Sequence, residues 1–239
     1  MENQSKIENV IIVHLESLNE DILWKECETG VLKNIKYLKD TGTYYANYYS
    51  TATSTIMAMS DFMFGDRMAC ETSASLQDFC LQDKKNLFTI LEELGFQNFV
   101  YMYPEFRGAD LINANKIFKG SKKFSCANRY EEFLQGIGET ISQNDRFCMY
   151  VYDWTSLNVN EYIKNPDITL EKLCVMRYRH IDETVGFLLD ALQKSNKLSN
   201  TLLVLFGDHG DELYAGGFHY GFTHAIEPLY SVIKILFAL

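Results

Sequence analysis

The sequence lacks the features that mark several common classes of protein. It contains no run of basic residues and its formal net charge is −10, so a nucleic-acid partner is not expected. No apolar run reaches the ~20 residues that a membrane-spanning helix needs, and no signal peptide opens the chain. These absences predict a cytoplasmic chain without a membrane segment. The alternative is the extracellular domain of a membrane-anchored parent.

The cysteines also lack a recognisable pattern. None of them forms a Cys-x-x-Cys pair, so a cysteine-based zinc site is not expected. We interpret them as free thiols in a reducing compartment. The six are scattered along the chain at Cys27, Cys70, Cys80, Cys126, Cys148 and Cys174.

The alternation of apolar segments indicates the fold class. Short, continuously apolar runs suit strands covered on both faces, and segments with apolar residues at helical spacing lie between them. Strands are predicted at 9–15, 99–103, 147–152, 201–206 and 230–239, helices at 87–94, 131–141 and 170–192, and irregular structure at 109–125. The alternation predicts an α/β fold with a mainly parallel sheet. Because the 239 residues contain no linker or repeat, residues 1–239 are expected to form one domain.

Chemically useful side chains follow two of the predicted strands. Asp208 and His209 come directly after the strand at 201–206, and Glu16 comes directly after the strand at 9–15. Because such strand ends converge on one crevice in a doubly wound sheet, these three side chains are expected to meet. His14 lies inside its strand and is interpreted as a core histidine.

A hydroxyl-rich segment supplies a candidate nucleophile. Five of the six residues from Ser50 to Thr55 carry a hydroxyl group, and an apolar helix is predicted to begin near Thr55. Simple N-capping would need only one of them. The free N–H groups and the dipole at a helix N-terminus favour an alkoxide and a bound anion, so Thr55 is the predicted nucleophile. Thr53 and Ser54 are the alternatives.

Together these residues form a coherent ligand set for one divalent cation. The predicted ligands are Glu16, Thr55, Asp208 and His209, and mixed oxygen and nitrogen ligation admits Zn, Mn or Mg, and also Ca. A bound cation would make the Thr55 hydroxyl more acidic, as it does a bound water. The alkoxide could then attack phosphorus or sulfur and form a covalent intermediate.

The same segments resemble the alkaline phosphatase/sulfatase superfamily. Residues 207–210 (GDHG) are similar to its metal-binding motif, and residues 13–17 (VHLES) are similar to its first-strand motif with a ligand glutamate. Residues 53–55 (TST), followed by an apolar helix to Gly65, are similar to its nucleophile segment. More narrowly, they resemble the branch that contains lipoteichoic acid synthases and phosphoethanolamine transferases.

The resemblance implies a three-layer, doubly wound sheet with helices on both faces. It also implies a metal-dependent hydrolase or transferase that acts on phosphate-type esters of an anionic small molecule or lipid headgroup, such as phosphoglycerol or phosphoethanolamine groups. His219 and His224 fall where the family keeps a residue that contacts the substrate or a second ion. Arg107 follows a predicted strand and is either an anion-binding residue or a solvated arginine.

The sequence departs from the family in three respects. It has no Cys/Ser-x-Pro-Ser-Arg segment, so a sulfatase that uses formylglycine is not expected. Residues 152–157 offer no histidine near the substrate, although Asp153 and Trp154 could line the pocket. The chain also ends before the family's last strands, as in a compact variant or a domain truncated at the C-terminus. Two rival functions stay open: a sulfate-ester or phosphonate hydrolase, and a catalytically degenerate protein that binds an anion or a partner.

Overall fold

A computed structural model describes most of the chain. The described residues are 7–16, 18, 20–45, 48–52, 55–65, 84–105, 108–154, 170–209 and 235–238. The helices in these ranges are α1 (Glu20–Glu28), α2 (Lys33–Thr41), α3 (Thr55–Phe64), α4 (Leu87–Glu93), α5 (Gly108–Ile117), α6 (Tyr130–Gln143) and α7 (Leu170–Lys194). The strands are β1 (Asn9–Leu15), β2 (Thr43–Tyr45), β3 (Gln97–Tyr103), β4 (Lys123–Cys126), β5 (Phe147–Asp153), β6 (Thr201–Gly207) and β7 (Ile235–Ala238).

The strands form one sheet in the order β2-β7-β6-β1-β5-β3-β4. The five strands from β6 to β4 are parallel, whereas β7 runs antiparallel to β6 and to β2. The mainly parallel sheet predicted from the sequence is therefore confirmed. β1 lies between β5 and β6, so the residues that follow these strands emerge beside the residue that follows β1.

Helices cover both faces of the sheet and complete the three layers. On one face, Ile11, Val13 and Leu15 of β1 belong to a core that includes buried side chains of α1, α2, α6 and α7. On the other face, Ile12 belongs to a core that includes side chains of α3, α4 and α5. Side chains alternate along a strand, so His14 lies on the same face as Ile12 and α3.

The prediction that residues 109–125 are irregular is wrong. They contain most of α5 and the first three residues of β4. Ala114, Ile117 and Phe118 are almost completely buried, so tertiary packing stabilises a helix whose periodicity is interrupted by polar Asn and Lys residues. β4 is a short edge strand that begins at the exposed Lys123, a common arrangement at the edge of a sheet.

Asp182 of α7 caps the N-terminus of α2. Its carboxylate accepts hydrogen bonds from the backbone N–H groups of Asn34 (2.9 Å) and Ile35 (2.8 Å), and from the Asn34 side chain (3.0 Å). Gly186 lies one turn after Asp182 and permits the close approach of the two helices. A Cβ atom at this position would lie only 2.6 Å from the side-chain nitrogen Nδ2 of Asn34. A residue about 150 positions away thus replaces the side-chain cap that Leu32 cannot provide.

Removal of this cap is expected to destabilise the fold. We expect Asp182→Ala to lower the free energy of unfolding by about 2–3 kcal/mol, because two helix N-terminal N–H groups lose their acceptor. Asp182→Asn keeps one acceptor oxygen and should lose less. Urea denaturation of the metal-free protein measures both effects, and an unchanged unfolding midpoint in Asp182→Ala would contradict the capping role.

The described cysteines are free thiols, as predicted. They are Cys27, Cys126 and Cys148, and burial raises the pKa of Cys27 to about 12 and that of Cys148 still further. Such thiols stay protonated and unreactive at neutral pH. Within the described ranges, no helix combines the length and the apolar character needed to cross a bilayer.

Candidate active site

Two paired strands bring three of the predicted ligands to the same edge of the sheet. β1 and β6 are in register with Leu15 opposite Gly207, so Glu16 and Asp208 follow their strands side by side. Beyond the strands, the backbone N–H of Leu18 donates a hydrogen bond to the carbonyl oxygen of His209 (2.8 Å). The parallel pairing therefore positions both carboxylates and the imidazole.

Thr55 is the first residue of α3, and its hydroxyl lies at the same place. Its Oγ1 atom is 3.0 Å from His209 Nε2 and 3.2 Å from Glu16 Oε2. His209 Nε2 is in turn 3.6 Å from Glu16 Oε1 and 3.4 Å from Asp208 Oδ2. The structure thus brings together all four residues that the sequence predicts as ligands. Their roles as ligands, and that of Thr55 as nucleophile, remain predictions.

The spacing of these atoms fits a small divalent cation. Ligand atoms that each lie about 2.0–2.2 Å from a tetrahedral ion are separated from one another by about 3.3–3.6 Å. His209 Nε2 lies 3.0–3.6 Å from Thr55 Oγ1, Glu16 Oε1 and Asp208 Oδ2, and Thr55 Oγ1 lies 3.2 Å from Glu16 Oε2. Two carboxylates, a hydroxyl and an imidazole are also ordinary donors for such an ion. The residues present therefore fit the cation that the resemblance implies.

Burial gives a second reason to expect a cation. Asp208 is 1% and His209 0% exposed, and the side chain of Glu16 is 12% exposed. Two carboxylates in such a dry site repel each other, and a bound metal ion can neutralise both. Charge and burial therefore favour the same occupant as the distances do.

Neighbouring groups orient the predicted ligands. The Tyr152 hydroxyl donates to Glu16 Oε2, and the Ser50 hydroxyl donates to the backbone carbonyl of Asp208. The Oδ1 atom of Asp208 accepts the backbone N–H of His209 (2.8 Å). Burial raises the pKa of Tyr152 well above its usual value, so its phenol stays protonated and remains a donor.

His14 is the neighbour whose role the sequence analysis missed. It is buried in the core as predicted, but its Nε2 atom lies 3.0 Å from Asp208 Oδ2 and its Nδ1 atom lies 2.8 Å from the Tyr150 hydroxyl. One potential ligand atom from each of His14, Glu16 and Asp208 lies within 4.8 Å of the other two. The spacing in the sequence could have indicated this role. Side chains two residues apart on a strand lie on the same face, and His14 precedes Glu16 by two residues.

Several other predicted site residues lie outside the described residues. For these positions the assignments from the sequence remain predictions. They are the alternative nucleophiles Thr53 and Ser54, the anion-binding candidate Arg107, and the histidines His219 and His224.

Asp153 serves the opposite face of the sheet. It is the last residue of β5, is completely buried, and accepts a hydrogen bond from the Thr184 hydroxyl (2.7 Å). His180 Nε2 lies 3.3 Å from the same carboxylate oxygen, and Tyr130 packs on the His180 ring with centroids 4.3 Å apart. Asp153 therefore connects α7 to the sheet on the side away from α3.

The contact between His180 and Asp153 predicts a pH-dependent contribution to stability. Burial lowers the pKa of His180, but the hydrogen bond and charge of Asp153 and the charge of Glu183 raise it, and the net pKa lies above the usual 6.5. The contribution of the His180–Asp153 contact to the free energy of unfolding is therefore complete below pH 6.5, and it is lost as the pH rises through the folded-state pKa. In urea denaturation, His180→Gln should therefore destabilise the protein more at about pH 6 than at about pH 9. Equal losses at both pH values would contradict the ion pair.

Comparisons with known proteins identify the fold. A family model named Sulfatase matches residues 177–231, which include Asp208 and His209. The C-terminal periplasmic domain of EcEptC from Escherichia coli, in complex with Zn, aligns with a TM-score of 0.65 and 15% identity over 98% of this chain and 73% of that chain. The fold is that of the alkaline phosphatase/sulfatase superfamily. The lipoteichoic acid synthase LtaP from Listeria monocytogenes aligns with a TM-score of 0.70 and 14% identity over 98% of this chain and 66% of that chain.

A further similar structure is that of BT1596, a 2-O GAG sulfatase. It aligns with a TM-score of 0.70 and 13% identity over 98% of this chain and 64% of that chain. The present chain thus spans 64–73% of the length of these three solved chains. A comparison with curated proteins gave no significant match. The resemblance to the alkaline phosphatase/sulfatase superfamily that the sequence motifs predict is confirmed.

Proposed function

We propose that the protein is a metal-dependent enzyme that cleaves or transfers phosphate-type esters through a covalent intermediate on Thr55. The observation that carries the proposal is the position of Thr55 Oγ1, 3.0 Å from His209 Nε2 and 3.2 Å from Glu16 Oε2, at the first residue of a helix. A nucleophile of this kind needs activating neighbours and a positive field for the anion that it attacks. This position supplies both.

Glu16, Thr55, Asp208 and His209 are the residues that would hold the divalent cation. When bound, the cation supplies a Lewis acid that polarises the ester and makes the Thr55 hydroxyl more acidic. The donor set leaves Zn, Mn, Mg and Ca open, and the zinc complex of the EcEptC domain supports Zn as the first ion to test. A second ion near His219 or His224 remains part of the proposal.

The side chains account for both halves of the reaction. The Thr55 hydroxyl releases its proton to solvent, Oγ1 bonds to phosphorus, and the bond from phosphorus to the leaving oxygen breaks. The leaving oxygen takes a proton from solvent. A water or an alcohol then attacks phosphorus and loses its proton to solvent, while the bond to Oγ1 breaks and Oγ1 takes a proton from solvent. The first acceptor gives hydrolysis and the second gives transfer.

A phosphate-type ester is favoured as the substrate. The unmodified threonine suits such an ester, and the formylglycine segment of sulfatases is missing from the sequence. The likeness to a lipoteichoic acid synthase supports an anionic small-molecule or lipid-headgroup ester, such as a phosphoglycerol or phosphoethanolamine group. The Sulfatase match and the likeness to a 2-O GAG sulfatase favour the alternative, a sulfate ester.

The EcEptC likeness also bears on where the protein works. That domain is periplasmic, which supports an extracellular domain of a membrane-anchored parent as the location of this chain. The cytoplasmic location expected from the sequence remains a prediction. Selective labelling of surface lysines in intact cells, with labelling of lysed cells as the control, distinguishes the two.

Substrate profiling tests the proposed reaction. The protein, loaded in turn with Zn²⁺, Mn²⁺ and Mg²⁺, is assayed with aryl phosphate, aryl phosphodiester and aryl sulfate esters. We expect cation-dependent turnover of a phosphate-type ester, loss of turnover with a chelator, and a phosphorylated Thr55 peptide after acid quenching and mass spectrometry. Preference for the aryl sulfate would select the sulfate-ester alternative. Purification without a stoichiometric ion and without turnover would select the degenerate binder.

A further inference from the structure

Tyr150, His14 and Asp208 form a buried chain that ends on a predicted metal ligand. The Tyr150 hydroxyl lies 2.8 Å from His14 Nδ1, and His14 Nε2 lies 3.0 Å from Asp208 Oδ2. None of the three residues is more than 1% exposed. The His14 ring also stacks between Tyr152 and Phe206, with centroid distances of 4.1 Å and 4.9 Å. Its orientation is therefore fixed on both faces and at both nitrogens.

The two groups that face the His14 ring indicate which of its nitrogens carries a proton. A carboxylate only accepts hydrogen bonds, so the nitrogen that faces Asp208 Oδ2 carries an N–H group. In a neutral ring, Nδ1 then accepts a hydrogen bond from the Tyr150 hydroxyl. Burial raises the pKa of Tyr150 well above its usual value, which keeps this hydroxyl protonated. The chain thus runs in one direction, from Tyr150 through His14 to Asp208.

We propose that His14 is a positioning residue of the metal centre, which donates from Nε2 to Asp208 and holds this carboxylate ready for the cation. The inference rests on the proposed function. Because Asp208 Oδ1 accepts the His209 backbone N–H, the carboxylate is held at both oxygens, and each oxygen keeps a second lone pair for an ion. Loss of a group that holds a metal ligand in place typically weakens metal affinity about 10–100-fold.

The competing role for His14 is that of a direct ligand, because its Nε2 atom lies within reach of Glu16 and Asp208. The contacts of the nucleophile favour positioning instead. Thr55 Oγ1 contacts His209 and Glu16, whereas the contact of His14 with the predicted ligands is to Asp208. The Tyr150 hydroxyl and the Asp208 carboxylate also already face the two nitrogens of the His14 ring, at 2.8 Å and 3.0 Å.

Cation affinity of variants tests the inference. His14→Phe keeps a ring between Tyr152 and Phe206 but removes the donor, and we expect its Zn²⁺ affinity to fall about 10–100-fold in competition with a chromophoric chelator. His14→Gln keeps an N–H donor and should recover part of this loss, and it also serves if His14→Phe does not fold. The matched control is Tyr101→Phe, which removes a buried tyrosine hydroxyl on the opposite face and should leave the affinity unchanged.

Zinc X-ray absorption separates positioning from ligation. A positioning role predicts the same number of imidazole ligands in the wild type and in His14→Gln. A decrease by one in the variant would show that His14 is a ligand and would overturn the inference. Equal Zn²⁺ affinities of the wild type and both His14 variants would overturn it too, while leaving the proposed function intact. A wild-type protein that binds no divalent cation would defeat both.

Discussion

Thr55→Ala is expected to reduce ester turnover by roughly 10³-fold or more, because it removes the oxygen on which the proposed covalent intermediate forms. Such a loss corresponds to about 4 kcal/mol of transition-state stabilisation. The residue lies at the first position of α3, where a single hydroxyl makes little packing contribution, so the fold should survive. Steady-state assays with the best aryl ester measure the loss, and acid-quenched mass spectrometry should find no modified peptide.

Two further substitutions at this position make the test specific. Thr55→Ser keeps the hydroxyl and should retain measurable turnover and a labelled peptide. Thr55→Val keeps the shape of threonine without the oxygen and should behave like Thr55→Ala. If Thr55→Ala and Thr55→Val both turned over at the wild-type rate, the nucleophile would have to be sought at Thr53 or Ser54.

Asp208→Asn is expected to weaken divalent-cation affinity by more than about 100-fold. Loss of a group that only hydrogen-bonds to a metal ligand typically weakens the affinity 10–100-fold, and this substitution changes a proposed ligand itself. The substitution removes one of the two charges that attract the ion. It also leaves one acceptor atom where the carboxylate now accepts the His209 backbone N–H at Oδ1 and lies 3.0 Å from His14 at Oδ2. Isothermal titration with Zn²⁺ or Mn²⁺ measures the change.

Asp153→Asn is the matched control for this experiment. Asp153 is an equally buried carboxylate at the end of β5, which pairs with β1 in the same sheet, but it contacts Thr184 and His180 on the other face of the sheet. We expect its cation affinity to stay close to that of the wild type. A similar loss in both variants would mean that the effect comes from a disturbed sheet, and that Asp208 has no special place in the metal centre.

The fold could be predicted from the sequence wherever local pattern and burial agree. The β1, β5 and β6 segments are apolar on both faces because they lie in the middle of the sheet, and that pattern is visible without a structure. α5 could not be predicted, because only Ala114 and Ile117 among its described side chains are buried, by distant neighbours, while the apolar Ile112 is exposed. The cap that Asp182 provides for α2 was equally hidden, since a contact over about 150 residues leaves no local trace.

The site could be predicted in part because three of its four proposed ligands follow strand ends. The topology of a doubly wound sheet brings three separate segments of the sequence to one crevice. Glu16, Thr55, Asp208 and His209 could therefore be grouped before any distance was known. His14 was classified by its apolar surroundings alone, and its link to Asp208 depends on the pairing of β1 with β6. Orientation by Tyr150 and Tyr152 comes from β5, a strand whose sequence carries no sign of the site apart from these two phenols.

The pairing of β1 with β6 joins segments from opposite ends of the chain: Asn9 and Thr201, 192 residues apart, are hydrogen-bonded through their side chains. Glu16 and Asp208 become neighbours only when this pairing has formed, and contacts of such large sequence separation are slow to form. In an unfolded or partly folded chain, the two carboxylates are therefore far apart, and a cation that needs both binds only the folded protein. Such binding shifts the folding equilibrium toward the folded state, so the melting temperature should rise with the concentration of free cation.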